Sequence, residues 1–142
     1  MANMTNVRVL VVDDESAVAD GVRAYLEDED MQVATVTSAE DACELVRSRA
    51  DFHVCIMDMR LSGMDGNAAI RSLANYAPQM RFLIHTGSAD YVLPDDLRAL
   101  GVTPAELFFK PQNDLGVLAA AVRRAATSAQ ESIMPRGTLT HE

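Results

Sequence analysis

The sequence predicts an α/β fold in which a doubly wound, five-stranded parallel sheet carries helices on both faces. Two observations support this fold. Short apolar runs alternate five times with segments whose apolar residues repeat at helical spacing. The first run is rich in Val and Leu throughout, as expected of a strand that is buried on both faces. The runs predict strands at residues 7–12, 32–36, 52–57, 81–85 and 106–109.

Residues that favour helix starts follow the predicted strands. Ser16 and Ser38 are expected to cap the first two helices, and Asp41 stands three residues after Ser38, as in a variant capping box. Asp114 is expected to cap the last helix. Pro94 suits the first position of a short fourth helix. The predicted helices cover residues 17–29, 39–49, 67–75 and 94–100, and a last helix follows residue 114.

Composition and charge narrow the class of protein. A length of 142 residues and an apolar fraction of 49% fit one compact domain. The net charge of −9 argues against non-specific nucleic-acid binding, so we expect no direct DNA contact. No stretch approaches the roughly 18 apolar residues of a membrane span, and the first seven residues lack the pattern of a secretory signal. We therefore expect a cytoplasmic protein with no membrane segment.

Polar side chains stand where the predicted strands end. Asp13, Asp14, Asp58, Thr86 and Lys110 each follow or close a strand. In open parallel sheets, ligands bind in the crevice outside the carboxyl ends of the strands. We therefore expect these five side chains to converge in one pocket.

The chemistry of this residue set points to a metal and a phosphoryl group. Three carboxylates in a small volume repel one another unless a positive charge lies between them, and oxygen ligands favour a hard cation such as Mg²⁺ or Mn²⁺. Lys110 can pair with Asp58 at rest and with a phosphoryl oxygen afterwards, while the Thr86 hydroxyl can donate to another oxygen. A carboxylate can itself act as the nucleophile and form an aspartyl phosphate.

Four short segments stand in order at the ends of the predicted strands: VVDDE at 11–15, MDMRLSGMDG at 57–66, TG at 86–87 and FKP at 109–111. Taken together they resemble the motifs of bacterial response-regulator receiver domains. The resemblance covers roughly residues 7–127 and implies a flavodoxin-like sheet with strand order 2-1-3-4-5. It implies that residues 1–127 form the receiver domain, while residues 128–142 hold the end of the last helix and a frayed tail.

The resemblance also implies a role for each matching residue. Asp58 would be the phosphoacceptor of a two-component phosphorelay, and Lys110 and Thr86 would contact the phosphoryl group. The cofactor would be Mg²⁺ or Mn²⁺. Its ligands, direct or through water, would be Asp13, Asp14, Asp58 and the backbone carbonyl of Arg60.

Partners follow from the same resemblance. The phosphodonor would be a histidine kinase or a histidine phosphotransfer protein, and the output would be contact with a downstream protein. Such a domain catalyses only its own phosphorylation and dephosphorylation, so we do not expect an enzyme. The chain is expected to be either a whole single-domain regulator, which its Met1 start favours, or a receiver from a larger protein.

Two features depart from the receiver pattern. Receivers usually carry Tyr or Phe three residues before the lysine, but this chain has Leu107 there, with Phe109 as the nearest aromatic on the same side of the strand. The stretch 101–106 also looks longer than usual, so the signalling face is expected to be reshaped. The missing aromatic keeps open an alternative function: a pseudo-receiver that binds partners without phosphorylation.

Other interpretations of the polar residues are weaker. A metal-dependent phosphatase similar to the haloacid dehalogenases would carry a second Asp two residues after its nucleophile, but Arg60 occupies that position after Asp58. Asp65 is interpreted as a turn residue before a helix. The remaining candidates for metal binding or reactivity are interpreted as structural: His53, His85, Cys43 and Cys55.

Overall fold

A computed structural model describes residues 6–49, 51–61, 63–111 and 114–133. Within these ranges one parallel sheet contains five strands in the order β2-β1-β3-β4-β5. This order and the parallel pairing confirm the expected fold class. The strands are β1 (Arg8–Val12), β2 (Gln32–Val36), β3 (Val54–Met57), β4 (Arg81–Thr86) and β5 (Leu107–Phe109).

Helices connect the strands and cover both faces of the sheet. Together with the loops before them, they carry the chain back to the start of the next parallel strand. In the described part of the chain they are α1 (Ser16–Asp28), α2 (Ala39–Ser48), α3 (Gly66–Tyr76), α4 (Asp95–Ala99) and α5 (Leu115–Ile133), with a 3-10 helix at Pro104–Glu106 before β5.

The core is divided by the sheet into two apolar layers. Leu10 and Met57 point into the layer beneath α2, α3 and α4, whereas Val11 and Ile56 point into the layer beneath α1 and α5. Side chains alternate between the two faces of a strand, and both faces of β1 and β3 are covered. This explains why these strands are apolar throughout rather than at every second residue.

Two of the predicted helix caps are present and one is wrong. Ser38 Oγ accepts a hydrogen bond from the Asp41 amide at 3.0 Å, and Asp114 Oδ1 accepts one from the Gly116 amide at 2.9 Å. Ser16 is not a cap, because α1 already begins there and Glu15 holds the N-cap position. The reason lies in Asp13, whose carboxylate accepts the Glu15 amide at 2.9 Å and turns the chain one residue early.

The chain from Pro94 to the start of β5 differs from its predicted structure at three points. Pro94 is the N-cap of α4 rather than its first residue, since its ψ of 152° is extended. Gly101 takes a φ of +99°, which favours glycine. Thr103 and Glu106 then form a capping box that starts the 3-10 helix, so β5 begins one residue later than predicted.

The last helix extends to the end of the described residues. Helix α5 reaches Ile133, and the tail predicted to fray from residue 135 lies outside the described residues. No described helix combines the length and apolar character that crossing a bilayer requires.

Candidate functional site

The carboxyl edge of the sheet collects acidic side chains from two neighbouring strands. Asp13 and Asp14 come directly after β1, and Asp58 comes directly after β3. Backbone hydrogen bonds continue the sheet at this point, from the Asp58 amide to the Val12 carbonyl at 2.9 Å. As a result, carboxylate oxygens of all three aspartates lie within 4.8 Å of one another.

Burial distinguishes the three aspartates. Asp13 and Asp58 are 2% and 3% exposed, while Asp14 is exposed to solvent. A buried carboxylate loses hydration that only a cation or hydrogen-bond donors can replace. The pair Asp13 and Asp58 is therefore the part of this cluster that most needs a positive partner.

Lys110 supplies one positive charge from the end of β5. Its Nζ lies 2.9 Å from Asp13, 3.2 Å from Glu15 and 3.5 Å from Asp58. Its backbone amide donates to the Thr86 carbonyl at 2.8 Å, which extends the pairing of β4 and β5 and fixes the base of the side chain. The expected pairing with Asp58 is present, but the nearer partner is Asp13.

Glu15 is a member of this site that sequence reasoning left out. It occupies the N-cap of α1, yet its side chain makes no capping hydrogen bond and reaches Lys110 instead. Its position directly after Asp13 and Asp14 could have predicted a place in the site. A carboxylate at the start of a helix is, however, equally well explained by its favourable interaction with the helix dipole.

The crowding of charges shifts the protonation of the site. Burial, and then the negative charge of Asp13, raise the pKa of Asp58 to about 6 despite the opposing effect of Lys110. Burial lowers the pKa of Lys110, but its contacts with Asp13 and its proximity to Asp58 outweigh that effect and leave the pKa above its usual value. Above pH 6, therefore, an ionised Asp58 faces a charged ammonium.

Thr86 and Arg60 complete the set of predicted residues. Thr86 is fully buried at the end of β4, and its hydroxyl oxygen accepts a hydrogen bond from the Ser88 amide at 3.1 Å. The Arg60 amide lies 3.4 Å from Asp58 Oδ1, and its side chain is exposed. The structure thus brings every predicted site residue to one edge of the sheet, while the role of the Arg60 carbonyl stays a prediction.

The start of α3 packs directly against the backbone of Asp58. A Cβ on Gly66 would lie 2.5 Å from the Asp58 carbonyl oxygen and 2.8 Å from the Met59 Cα, so only glycine fits there without a shift. Asp65 caps this helix, accepting the Ala68 amide at 2.8 Å. This agrees with its interpretation as a turn residue.

The histidines and cysteines differ in their surroundings. His53 Nδ1 accepts a hydrogen bond from the Arg8 amide at 3.0 Å. His85 is buried beside the site, and burial and then the nearby Lys110 lower its pKa, which keeps it neutral. Cys55 is buried and Cys43 half-buried, and neither is in a disulfide.

A cavity of about 680 Å³ opens from the acidic cluster toward α1 and α5. Its lining includes the charged Asp58 and Lys110 and the apolar Val18, Val22 and Leu115. The site is therefore an open cleft that a small ligand can enter.

The strand order and this acidic, lysine-containing edge define a doubly wound α/β domain of the receiver class. The chain belongs to the response regulator receiver domain family, whose family model matches residues 9–123. It is accordingly a receiver domain of the kind found in two-component signal transduction.

Relatives and solved structures agree with this assignment. The alginate biosynthesis transcriptional regulatory protein AlgB of Pseudomonas putida is 38% identical over 109 residues, which are 64% of this chain and 24% of that protein. AlgB of Pseudomonas aeruginosa is 35% identical over 118 residues, 70% of this chain and 26% of that protein. A receiver domain structure from Clostridium thermocellum has a TM-score of 0.75 and 25% identity, and the match covers 90% of this chain and 99% of that one. The chain thus spans about a quarter of the length of the AlgB proteins.

Proposed function

We propose that this domain is a phosphoacceptor whose Asp58 receives a phosphoryl group from a histidine kinase or a histidine phosphotransfer protein. One observation carries the proposal: three carboxylates lie within 4.8 Å of one another, with the Lys110 ammonium within 3.5 Å of two of them. Such a network lowers the stability of the fold, because burying the charges removes their hydration and the carboxylates repel one another. Clusters of this kind are typical of functional sites that bind charged ligands.

The transfer itself uses Asp58 as the nucleophile. A carboxylate oxygen of Asp58 forms a bond to phosphorus while the bond between phosphorus and the donor imidazole nitrogen breaks, and that nitrogen keeps the electron pair. With a pKa of about 6, Asp58 is mainly ionised at pH 7 and above. Water later attacks the phosphorus, which regenerates the carboxylate and releases inorganic phosphate.

Lys110 and Thr86 stabilise the charge on the transferred group. The ammonium of Lys110, now 3.5 Å from Asp58 Oδ2, is within reach of a phosphoryl oxygen attached to that carboxylate. The Thr86 hydroxyl accepts the Ser88 amide and keeps its own proton available for donation.

The acidic cluster fits a hard divalent cation. Its candidate donors are all oxygen atoms, and two of its carboxylates are buried together. Asp13, Asp14, Asp58 and the Arg60 carbonyl would hold Mg²⁺ or Mn²⁺, directly or through water. When bound, the cation supplies positive charge that offsets the negative charge on the phosphoryl oxygens.

The output proceeds by contact with a downstream protein in the cytoplasm. Direct DNA contact is not expected from a chain with a net charge of −9. The AlgB relatives are named as transcriptional regulatory proteins, but the matched segment is about a quarter of their length. No turnover of an external substrate is part of this proposal.

The alternative, a receiver that works without phosphorylation, draws its support from Leu107. This residue leaves β5 without an aromatic side chain at the position three residues before Lys110. The complete set of acidic, hydroxyl and lysine side chains around Asp58 favours the phosphoacceptor, because an unused cluster of buried carboxylates would only destabilise the fold.

Intact-protein mass after incubation with acetyl phosphate and Mg²⁺ tests the proposal. The wild type should gain one phosphoryl group, the gain should be blocked by chelator, and Asp58→Asn should gain none. Asp65→Asn is the matched control, because Asn caps a helix as well as Asp, so this variant should be phosphorylated normally. If the wild type gains no mass and binds neither Mg²⁺ nor beryllofluoride, the domain is a phosphorylation-independent interaction module.

A further inference from the structure

The segment that follows Thr86 is attached to α3 by two side-chain contacts. This β4–α4 segment, residues 88–99, carries Tyr91, whose hydroxyl donates to Asn67 Oδ1 at 2.7 Å. It also carries Asp96, which accepts Arg71 Nη2 at 3.2 Å. Asn67 and Arg71 are four residues apart and so lie on the same side of α3.

Of the two contacts, the Tyr91 hydrogen bond is better placed to influence the site. The Arg71–Asp96 pair is exposed, with about half of each side chain accessible, and is weakened by solvent. Tyr91 is half-buried and, like Leu107, packs against the apolar layer beneath α2, α3 and α4.

Asn67 connects Tyr91 to the acceptor side of the site. It is the second residue of α3, and the first, Gly66, contacts the Asp58 carbonyl so closely that a Cβ would lie 2.5 Å from it. The Gly66 amide also donates to the Met59 carbonyl at 3.2 Å. Asn67 thus adjoins a glycine that packs closely against the backbone of Asp58 and Met59.

The other end of the connection is Thr86. Its hydroxyl oxygen accepts the Ser88 amide at 3.1 Å, and the Ser88 carbonyl in turn accepts the Tyr91 amide at 3.1 Å. These two hydrogen bonds connect the Thr86 hydroxyl to Tyr91, so a movement of that hydroxyl toward a phosphoryl group on Asp58 would strain the Tyr91–Asn67 bond.

We propose that the Tyr91–Asn67 hydrogen bond is a latch that favours the unphosphorylated arrangement of the β4–α4 segment and opens when Asp58 carries a phosphoryl group. The inference rests on the proposed phosphoacceptor function and names how that site is regulated. Tyr91 thereby supplies to the switch an aromatic side chain from the loop, whereas β5 carries Leu107 at the position three residues before Lys110. A ligand that mimics the phosphoryl group must open the latch, so its affinity is reduced by the strength of the latch.

Tyr91→Phe removes the hydroxyl and keeps the ring, and Asn67→Ala removes its acceptor. Each variant should bind beryllofluoride in the presence of Mg²⁺ about two- to ten-fold more tightly than the wild type, the range given by loss of one hydrogen bond. The double variant should gain no more than either single variant, because both remove the same interaction. Tyr76→Phe, at the exposed end of α3, is the matched control and should bind like the wild type.

Amide hydrogen exchange gives a second readout that needs no ligand. The amides of residues 88–94 should exchange faster in Tyr91→Phe and Asn67→Ala than in Tyr76→Phe. The melting temperatures of the three variants should be equal, so that the faster exchange reports local opening and not lower global stability. Unchanged exchange, or beryllofluoride affinity equal to or weaker than that of the wild type, would overturn the latch. Absence of beryllofluoride binding in the wild type would instead remove the phosphoacceptor function, and the exchange result would then decide whether the latch still holds the segment.

Discussion

The Lys110 ammonium lies nearer to Asp13, at 2.9 Å, than to Asp58, at 3.5 Å. In the absence of a cation, the lysine thus neutralises a carboxylate that is expected to bind metal. A divalent cation at Asp13 and Lys110 compete for the same negative charge, since two positive groups within a few ångströms repel each other.

Lys110→Met should therefore strengthen Mg²⁺ binding while weakening phosphorylation. The variant keeps the length of the side chain and removes its charge. We expect about five-fold tighter Mg²⁺ binding, from a repulsion of about 1 kcal/mol, and at least about ten-fold slower phosphorylation by acetyl phosphate. Titration calorimetry measures the first effect and intact mass against time the second. Lys110→Arg keeps the charge and should leave Mg²⁺ affinity near that of the wild type; equal affinities in the Met and Arg variants would contradict the competition.

Glu15→Gln should have a much smaller effect, although Glu15 also contacts Lys110. The Glu15 side chain is 61% exposed and lies 3.2 Å from Nζ. Exposed ion pairs contribute about 0–1 kcal/mol and are screened by salt. We expect the phosphorylation rate to change by less than about three-fold and the difference to shrink at high ionic strength. A ten-fold loss that persists in salt would place Glu15 among the groups that the reaction requires.

The fold could be predicted almost completely from the sequence, because strands that are buried on both faces of the sheet are apolar at successive positions. The strands β1 to β4 and the caps Ser38 and Asp114 follow from local rules of this kind. Ser16 failed as a cap because Asp13 captures the Glu15 amide, and that competition depends on side-chain geometry. The start of β5 was predicted one residue early because Glu106 belongs to a 3-10 helix, and a 3-10 turn and a loop have similar composition.

The site could be predicted as a set of positions but not as a set of contacts. The carboxyl ends of parallel strands meet at one edge, so convergence of Asp58 and Lys110 follows from topology. The preference of Lys110 for Asp13 is decided by differences of less than an ångström. The Tyr91–Asn67 bond joins residues 24 positions apart in a loop and a helix, and no sequence pattern marks it.

Asp58→Asn should stabilise the folded protein at pH 8 when no divalent cation is present. Burial, and then Asp13, raise the pKa of Asp58 from 3.8 to about 6, so the folded state favours the protonated carboxyl. That stabilisation is fully present below about pH 4 and is lost as the pH rises through about 6.

The difference in free energy of unfolding, Asp58→Asn minus wild type, should accordingly increase by about 1–3 kcal/mol between pH 4 and pH 8. Urea unfolding followed by circular dichroism in EDTA measures both values. Added Mg²⁺ should reduce the gap at pH 8, because it binds the wild-type carboxylates preferentially. A difference that does not depend on pH would show that carboxylate repulsion is not its cause.

Two glycines in helices should respond in opposite directions to the same substitution. Gly66→Ala places a methyl group against the Asp58 carbonyl and the Met59 Cα, both backbone atoms, whereas a Cβ on Gly21 meets nothing within 4 Å. Gly66→Ala should lower the free energy of unfolding by about 1–3 kcal/mol, as overpacking does, and slow phosphorylation because the Asp58 backbone shifts. Gly21→Ala, in the middle of α1, should raise stability by about 0.5–1 kcal/mol through helix propensity alone. Urea unfolding of both variants measures the contrast, and a gain of stability in Gly66→Ala would mean that α3 can move away from Asp58 without cost.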